Sequence, residues 1–310
     1  MDLLNHLLIG FENAVTWTNL LYCFVGVTLG TLVGVLPGMG PVATVAMLLP
    51  ITYALDPSTA LIMLAGIYYG AQYGGSTTAI LVNIPGEASA VVTCLDGHRL
   101  ALAGRAGAAL GIAAIGSFIA GCFATVVIAA FAEPLTQVAF QFGPREYFSL
   151  MVLGLVGAVV LASGSLLKAV GMILIGILLG CVGMDVNSGA LRYVFGIDEL
   201  MDGFDFVALS MGVYGFAEII RTLDVLGDRE AKPVPVGRVL PSKNDLKISA
   251  GPITRGTLIG SFLGILPGGG ALLSSFASYT LEKKLAGEKA NPPFGHGNIR
   301  GVAGPESAYK

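Results

Sequence analysis

Residues 20–82 carry a single charge, Asp56, and this run constrains the fold more than any other feature of the chain. A segment so poor in charge has no polar face to offer water, and about 20 apolar residues suffice to cross a bilayer as a helix. Residues 106–132, 148–167 and 169–184 contain no Asp, Glu, Lys or Arg at all. Only 12% of the chain is charged, about half the share of an ordinary soluble domain. Mean hydropathy is +0.78. These features predict an all-α, polytopic membrane protein.

The net charge of −3 says little, because the distribution of charge matters more than its sum in a membrane protein. No basic patch interleaved with aromatics occurs, so nucleic acid is not an expected partner. Cys23, Cys94, Cys122 and Cys181 are scattered, and so are His6, His98 and His296. No spacing among them suits zinc. The first residues carry Asp2 rather than a basic stretch, so no cleavable signal is expected. Leu3, Leu4, Leu7, Leu8 and Phe11 share one helical face, which suits either an interfacial helix over residues 1–18 or a helix packed on the body.

The apolar run breaks at Leu36-Pro37-Gly38-Met39-Gly40-Pro41. A second segment ends at Asp56-Pro57, where Asp56 suits an N-cap at an interface. A third holds Tyr68-Tyr69 and Gly74-Gly75-Ser76-Thr77-Thr78, then Asn83-Ile84-Pro85-Gly86-Glu87. The sequence then suggests a polar loop with Asp96, His98, Arg99 and Arg105. Glu133, Pro134, Pro144, Arg145 and Glu146 mark the next turn, and Lys168 falls between the two following spans. Residues 221–255 are the most polar segment, with seven Lys or Arg against four Asp or Glu, and suit a cytoplasmic linker.

Residues 256–271, GTLIGSFLGILPGGGA, follow residues 26–41, GVTLGTLVGVLPGMGP, at a constant offset of 230, with seven identities in sixteen positions. PGEASA at 85–90 finds a looser echo in GPESA at 304–308. An internal repeat with interrupted helices or re-entrant hairpins accounts for both matches. The expected division is an interfacial helix at 1–18, a first transmembrane repeat at 19–220, a polar linker at 221–251, and a truncated second repeat from 252 to 310.

Broken backbone leaves N–H and C=O groups that lipid cannot satisfy, so it is tolerated only where it lines a polar cavity. There, helix N-termini offer N–H groups to an anion and freed carbonyls can hold a cation. Pro37, Gly38 and Gly40, with Pro267, Gly268 and Gly270, are the candidate turns. Ser76, Thr77 and Thr78 offer hydroxyls, although such groups often bond back to their own helix. Asn83 and Glu87 follow, the latter as a cation ligand, proton carrier or simple N-terminal charge. Ser274, Ser275, Glu306 and Ser307 are the second-copy candidates. Gly26, Gly30 and Gly34, four residues apart, suit close helix packing instead. A non-transporting membrane assembly protein is the alternative. An intramembrane serine protease around Ser76 lacks a histidine within a span.

LPGMGP (36–41), YGGSTTAILVNIPGE (73–87), DGHRLALAGRAGAALG (96–111), LPGGGA (266–271) and GPES (304–307) occur in an order that resembles the large membrane subunit of the tripartite tricarboxylate transporters, the TctA family. The resemblance implies a bacterial inner-membrane, multi-pass permease without enzymatic activity. Its partners would be a small four-helix membrane subunit and a periplasmic solute-binding protein that delivers a carboxylate. No cofactor is implied. Coupling would be to a sodium or proton gradient, with sodium possible at the same loops. Members run to about 500 residues, so the resemblance also implies that this chain is a truncated, inactive form. Tyr309-Lys310 departs from the asparagines and small residues usual there.

Overall fold

The computed structural model describes residues 2–36, 39–141, 143–161, 165–185, 188–205, 208–209, 211–216, 220, 236–264, 270–287 and 290–310. The chain is mostly helical. The helices are α1 (Asp2–Ala14), α2 (Trp17–Gly34), α3 (Gly40–Leu48), α4 (Pro57–Leu81), α5 (Val91–Leu100), α6 (Ala106–Phe140), α7 (Pro144–Leu161), α8 (Leu166–Gly180), α9 (Lys243–Leu263), α10 (Gly270–Ala286) and α11 (Arg300–Ala308). A two-stranded antiparallel ribbon, β1 (Gly183–Met184) with β2 (Leu191–Arg192), follows α8.

The packing is that of a membrane protein. Large apolar side chains point outward, among them Phe24, Leu32, Leu61, Phe118 and Phe262, while the interior holds many Gly, Ala, Ser and Thr residues around a core of Met63, Ile67, Ile80, Leu100 and Ile112. Lipid is as apolar as leucine, so helices associate through small residues and polar links rather than by hiding leucines. Among the described residues two helices are long and apolar enough to cross a membrane, Trp17–Gly34 and the continuous Ala88–Phe131. Helix α4, with 25 residues, spans about 37 Å at the helical rise. It is an interior helix, with Gly66, Gly70, Gly74, Gln72 and Ser76 all buried.

Helices α2 and α4 are in backbone contact. A Cβ added at Gly26, Gly30 or Gly34 would lie 2.4, 2.2 and 2.3 Å from the carbonyl oxygens of Met63, Ile67 and Ala71. Near one end, Thr59 Oγ1 donates to Asn19 Oδ1 at 2.6 Å. The four-residue glycine spacing thus acts as the close-packing stripe expected of it.

Several sequence expectations are corrected. Residues 96–105 are helical rather than a polar loop, running through α5 into α6 with one irregular residue, Gly104 (φ +75°). Asp96 is fully buried and His98 is 6% exposed, because protein groups replace the water that a loop would supply. Glu133 and Pro134 lie inside α6, whose helical geometry is disturbed only at Phe131. Lys168 lies in the first turn of α8 rather than between spans. Asp56 occupies the N-cap position of α4, but Pro57 begins the helix and the carboxylate makes no capping bond.

The polar linker also ends sooner than its composition suggests. Ser242 and Asp245 form a reciprocal capping box that starts α9 at Lys243, so the boundary at 251 falls inside a helix. Asp245 also receives Arg105 Nη2 at 2.5 Å. That arginine is 42% exposed, so Arg105→Ala is expected to cost no more than about 1 kcal/mol. The check is a small shift in the thermal unfolding midpoint. Finally, GPESA lies within α11, whereas PGEASA forms an extended turn and a short 3-10 segment (Ala88–Ala90). The two do not share a conformation.

Candidate functional site

Helices α4, α6, α9, α10 and α11, with the residues after α11, line an open cavity of about 520 Å³. The hydroxyl-bearing residues along it are Tyr68, Tyr69, Thr257, Ser261, Ser274, Ser307 and Tyr309, and Lys310 also lines it, although its ammonium is buried against Glu306. Ala120, Ala124, Val127 and Ile128 of α6 form the apolar wall. Small residues permit this convergence: a Cβ at Gly256 or Gly260 would lie 2.3 or 2.1 Å from the carbonyls of Gly304 and Ala308.

Behind the wall lies a buried polar network. Glu306 is fully buried, and its Oε1 accepts from Thr93 Oγ1 at 2.7 Å and from the Tyr309 hydroxyl at 3.0 Å. Its Oε2 lies 2.9 Å from Lys310 Nζ, with side-chain exposures of 0% and 2%. Ser76 Oγ is 2.7 Å from the Tyr309 hydroxyl. Ser76 Oγ is also 3.1 Å from the Gln72 carbonyl, so its one proton serves either that carbonyl or the Tyr309 oxygen. Ser117 Oγ reaches the Glu306 carbonyl at 3.3 Å. Lys310 Nζ also sits 5.2 Å from the Tyr73 ring centroid, within cation–π range. Glu87 is within electrostatic reach of both Lys310 and Glu306, and its Oε1 is enclosed.

Of the residues expected from sequence, Ser274 and Ser307 line the cavity. Ser76 and Glu306 join the network behind it. Ser274 and Ser307 donate to the carbonyls of Ala271 and Ala303, leaving oxygen lone pairs toward other partners. Thr77 and Thr78 are not part of the cavity wall, and their hydroxyls bond back to Tyr73 and Gly75. Asn83 holds a left-handed turn (φ +61°) after α4, and Gly40 starts α3 at φ +52°. Gly270 starts α10, and a Cβ there would lie 2.5 Å from the Leu263 carbonyl. Pro37, Gly38, Pro267 and Gly268 lie outside the described residues.

Sequence reasoning missed Thr93, Ser261 and Lys310 as site residues, and read Tyr309-Lys310 only as a departure from a family pattern. The available signal was the Gly256/Gly260 spacing, which requires a second backbone beside α9 at that depth.

A helical membrane protein with an open cavity lined by hydroxyl-bearing residues and backed by a buried ion pair is thus the class defined by fold and site. The chain belongs to the Tripartite tricarboxylate transporter TctA family, whose model matches residues 20–310. This is a family of transporters, not of enzymes. The chain is 58% identical over 308 residues to the "Uncharacterized 52.8 kDa protein in TAR-I ttuC' 3'region" of Agrobacterium vitis. That match covers 99% of this chain and 61% of the relative. A second Agrobacterium vitis relative, the "Uncharacterized protein in TAR-II ttuC' 3'region", is 65% identical over 49 residues, 16% of this chain and 19% of the relative. The chain therefore spans less than two thirds of the length of these curated relatives. No solved structure matches it.

Proposed function

We propose that this chain is the permease part of a binding-protein-dependent secondary transporter that takes up tricarboxylates or related carboxylates. It works in the bacterial inner membrane, as a multi-pass protein driven by a sodium or proton gradient. A small four-helix membrane subunit and a periplasmic solute-binding protein are its partners. The observation that carries this reading is the cavity itself. Several hydroxyl-bearing residues converge there, with the Lys310–Glu306 pair buried behind them, and hydroxyl donors suit a carboxylate. The apolar wall would carry the rest of a small organic acid.

An internal repeat is part of the same proposal. Helix α9 packs on α11 through Gly256 and Gly260 as α2 packs on α4 through Gly26 and Gly30. On this alignment GPES corresponds to part of α4, not to PGEASA. Interrupted segments in corresponding halves then place the substrate between them.

Uptake of radiolabelled citrate, malate and succinate into membrane vesicles is the test, with the three subunits coexpressed and a sodium or pH gradient imposed. Gradient-dependent accumulation is the expected result, and none with any of the three would overturn the proposal. Gly40→Ala is expected to reduce uptake about tenfold. A Cβ there meets nothing within 4 Å, so the effect comes only from forcing a left-handed φ on alanine, about 1–2 kcal/mol.

A further inference from the structure

We infer that a second open cavity, at the polar end of the bundle, binds an anionic phosphate ester through Arg300. This cavity, of about 650 Å³, lies between the start of α9, the end of α10 and the segment entering α11. It shares no lining residue with the first. Arg105, Asn244, Asp245, Asn291 and Arg300 are among its polar residues, and Ile248 and Leu285 among its apolar ones.

The polar groups are not equally free. Arg105 is held by Asp245, whose other oxygen accepts from Ser242, so these two charges cancel. Asn298 uses its side chain on the Pro292 carbonyl and the Arg300 backbone N–H. Arg300 differs. Among the described residues its guanidinium has no hydrogen-bond or ion-pair partner. The residue is half-buried, yet none of its nitrogens is shut away from solvent. Five N–H donors in a planar fork are therefore accessible and unspent, and they leave the lining with one uncancelled positive charge. Asn244 and Asn291 are exposed, and among the described residues their amides are likewise unpartnered.

The surroundings favour an anion further. Lys243 and Lys247 flank Asp245 on α9, Lys283 and Lys284 fall in the last turn of α10, and Arg99 packs beside Gly297. The acids nearby are already matched: Glu282 pairs with Arg255, and Asp96 accepts four hydrogen bonds. The guanidinium fork fits two oxygens of a phosphate, and basic pockets between helices at a membrane boundary suit anionic headgroups. The polar segment before α9, whose Val236 carbonyl accepts from Gly107, sets this end at such a boundary. Leu246 and Leu285 are exposed beside the cavity and offer a surface to acyl chains. A lipid and a soluble phosphate ester present the same group, and a carboxylate fits the same fork, so the test separates all three.

The chain in dodecyl maltoside is titrated with dihexanoyl phosphatidylglycerol, dihexanoyl phosphatidylcholine, glycerol 3-phosphate and citrate. Binding is read from the thermal unfolding midpoint, and stoichiometry from native mass spectrometry. One phosphate ester is expected per chain, with phosphatidylglycerol preferred about tenfold over phosphatidylcholine, whose choline the basic surroundings repel. Arg300→Gln should weaken binding about tenfold, and exposed Lys284→Gln by less than about twofold. Asn244→Asp places a carboxylate in the first turn of α9, which suits the helix but repels the ligand. It too should weaken binding, and it keeps the test alive if Arg300→Gln fails to fold. Binding of phosphatidylglycerol alone assigns the group to a lipid, and equal binding of glycerol 3-phosphate assigns it to a soluble ester; either upholds the site. Equal binding of the two lipids without binding of glycerol 3-phosphate would overturn it. So would equal losses in Arg300→Gln and Lys284→Gln, or tighter binding of citrate than of either anionic ester.

Discussion

Asp96→Ala is expected to destabilise the protein by about 4 kcal/mol or more, one of the two largest effects of a single substitution foreseen here. The carboxylate is fully buried on α5 and accepts four hydrogen bonds. Oδ1 accepts the backbone N–H groups of Gly295, Gly297 and Asn298 at 2.9, 2.8 and 2.7 Å, and Oδ2 accepts the Tyr279 hydroxyl at 2.8 Å. Removing it strands up to four donors, each costing about 1–3 kcal/mol where water cannot replace the bond. Asp96→Asn separates charge from geometry. Its amide oxygen still serves the three N–H groups and its nitrogen can donate to the Tyr279 oxygen, so the cost falls to about 1–2 kcal/mol. Unfolding of purified protein in SDS-titrated mixed micelles measures both. An alanine variant as stable as the wild type would mean that the 295–298 turn holds itself without Asp96.

Asp96 also marks where the sequence ceases to be legible. Composition correctly read the chain as helical and apolar, because hydropathy is a local property. A polar cluster such as Asp96, His98 and Arg99 reads locally as a loop, whereas the partners of Asp96 lie 183 to 202 residues away in the chain. No period or spacing carries that information. Glycine stripes are different: Gly26, Gly30 and Gly34 announce a close neighbour whatever its identity, and the structure supplies α4. Hydroxyl direction is the intermediate case. Ser76, Thr77 and Thr78 are equivalent on paper, yet successive residues of a helix point about 100° apart. All three reach back to their own helix, and only Ser76 also meets Tyr309. GPESA misled for a related reason. Four letters matching in order do not fix a conformation, and contact with Gly256 and Gly260 decides that this segment is helix.

Gly30→Val is expected to separate α2 from α4 and to lose several kcal/mol, comparable to the loss of Asp96. An added Cβ would lie 2.2 Å from the Ile67 carbonyl oxygen and 2.8 Å from its carbon and Cα. Those are backbone atoms of a buried helix, so no rotamer change relieves the clash and the helices must part. The contact is reciprocal: a Cβ at Gly70 would lie 2.3 Å from the Val27 carbonyl. Separation would also move Ser76, six residues along α4 from Gly70, away from Tyr309. The variant should therefore lose carboxylate binding as well as stability. Gly176 of α8 provides the control, since a Cβ there meets nothing within 4 Å, and Gly176→Ala should be neutral or slightly stabilising. Thermal unfolding of the three proteins in one detergent ranks them. If Gly30→Val unfolds at the wild-type midpoint, the two helices do not touch at Gly30, and the glycine stripe has some role other than packing.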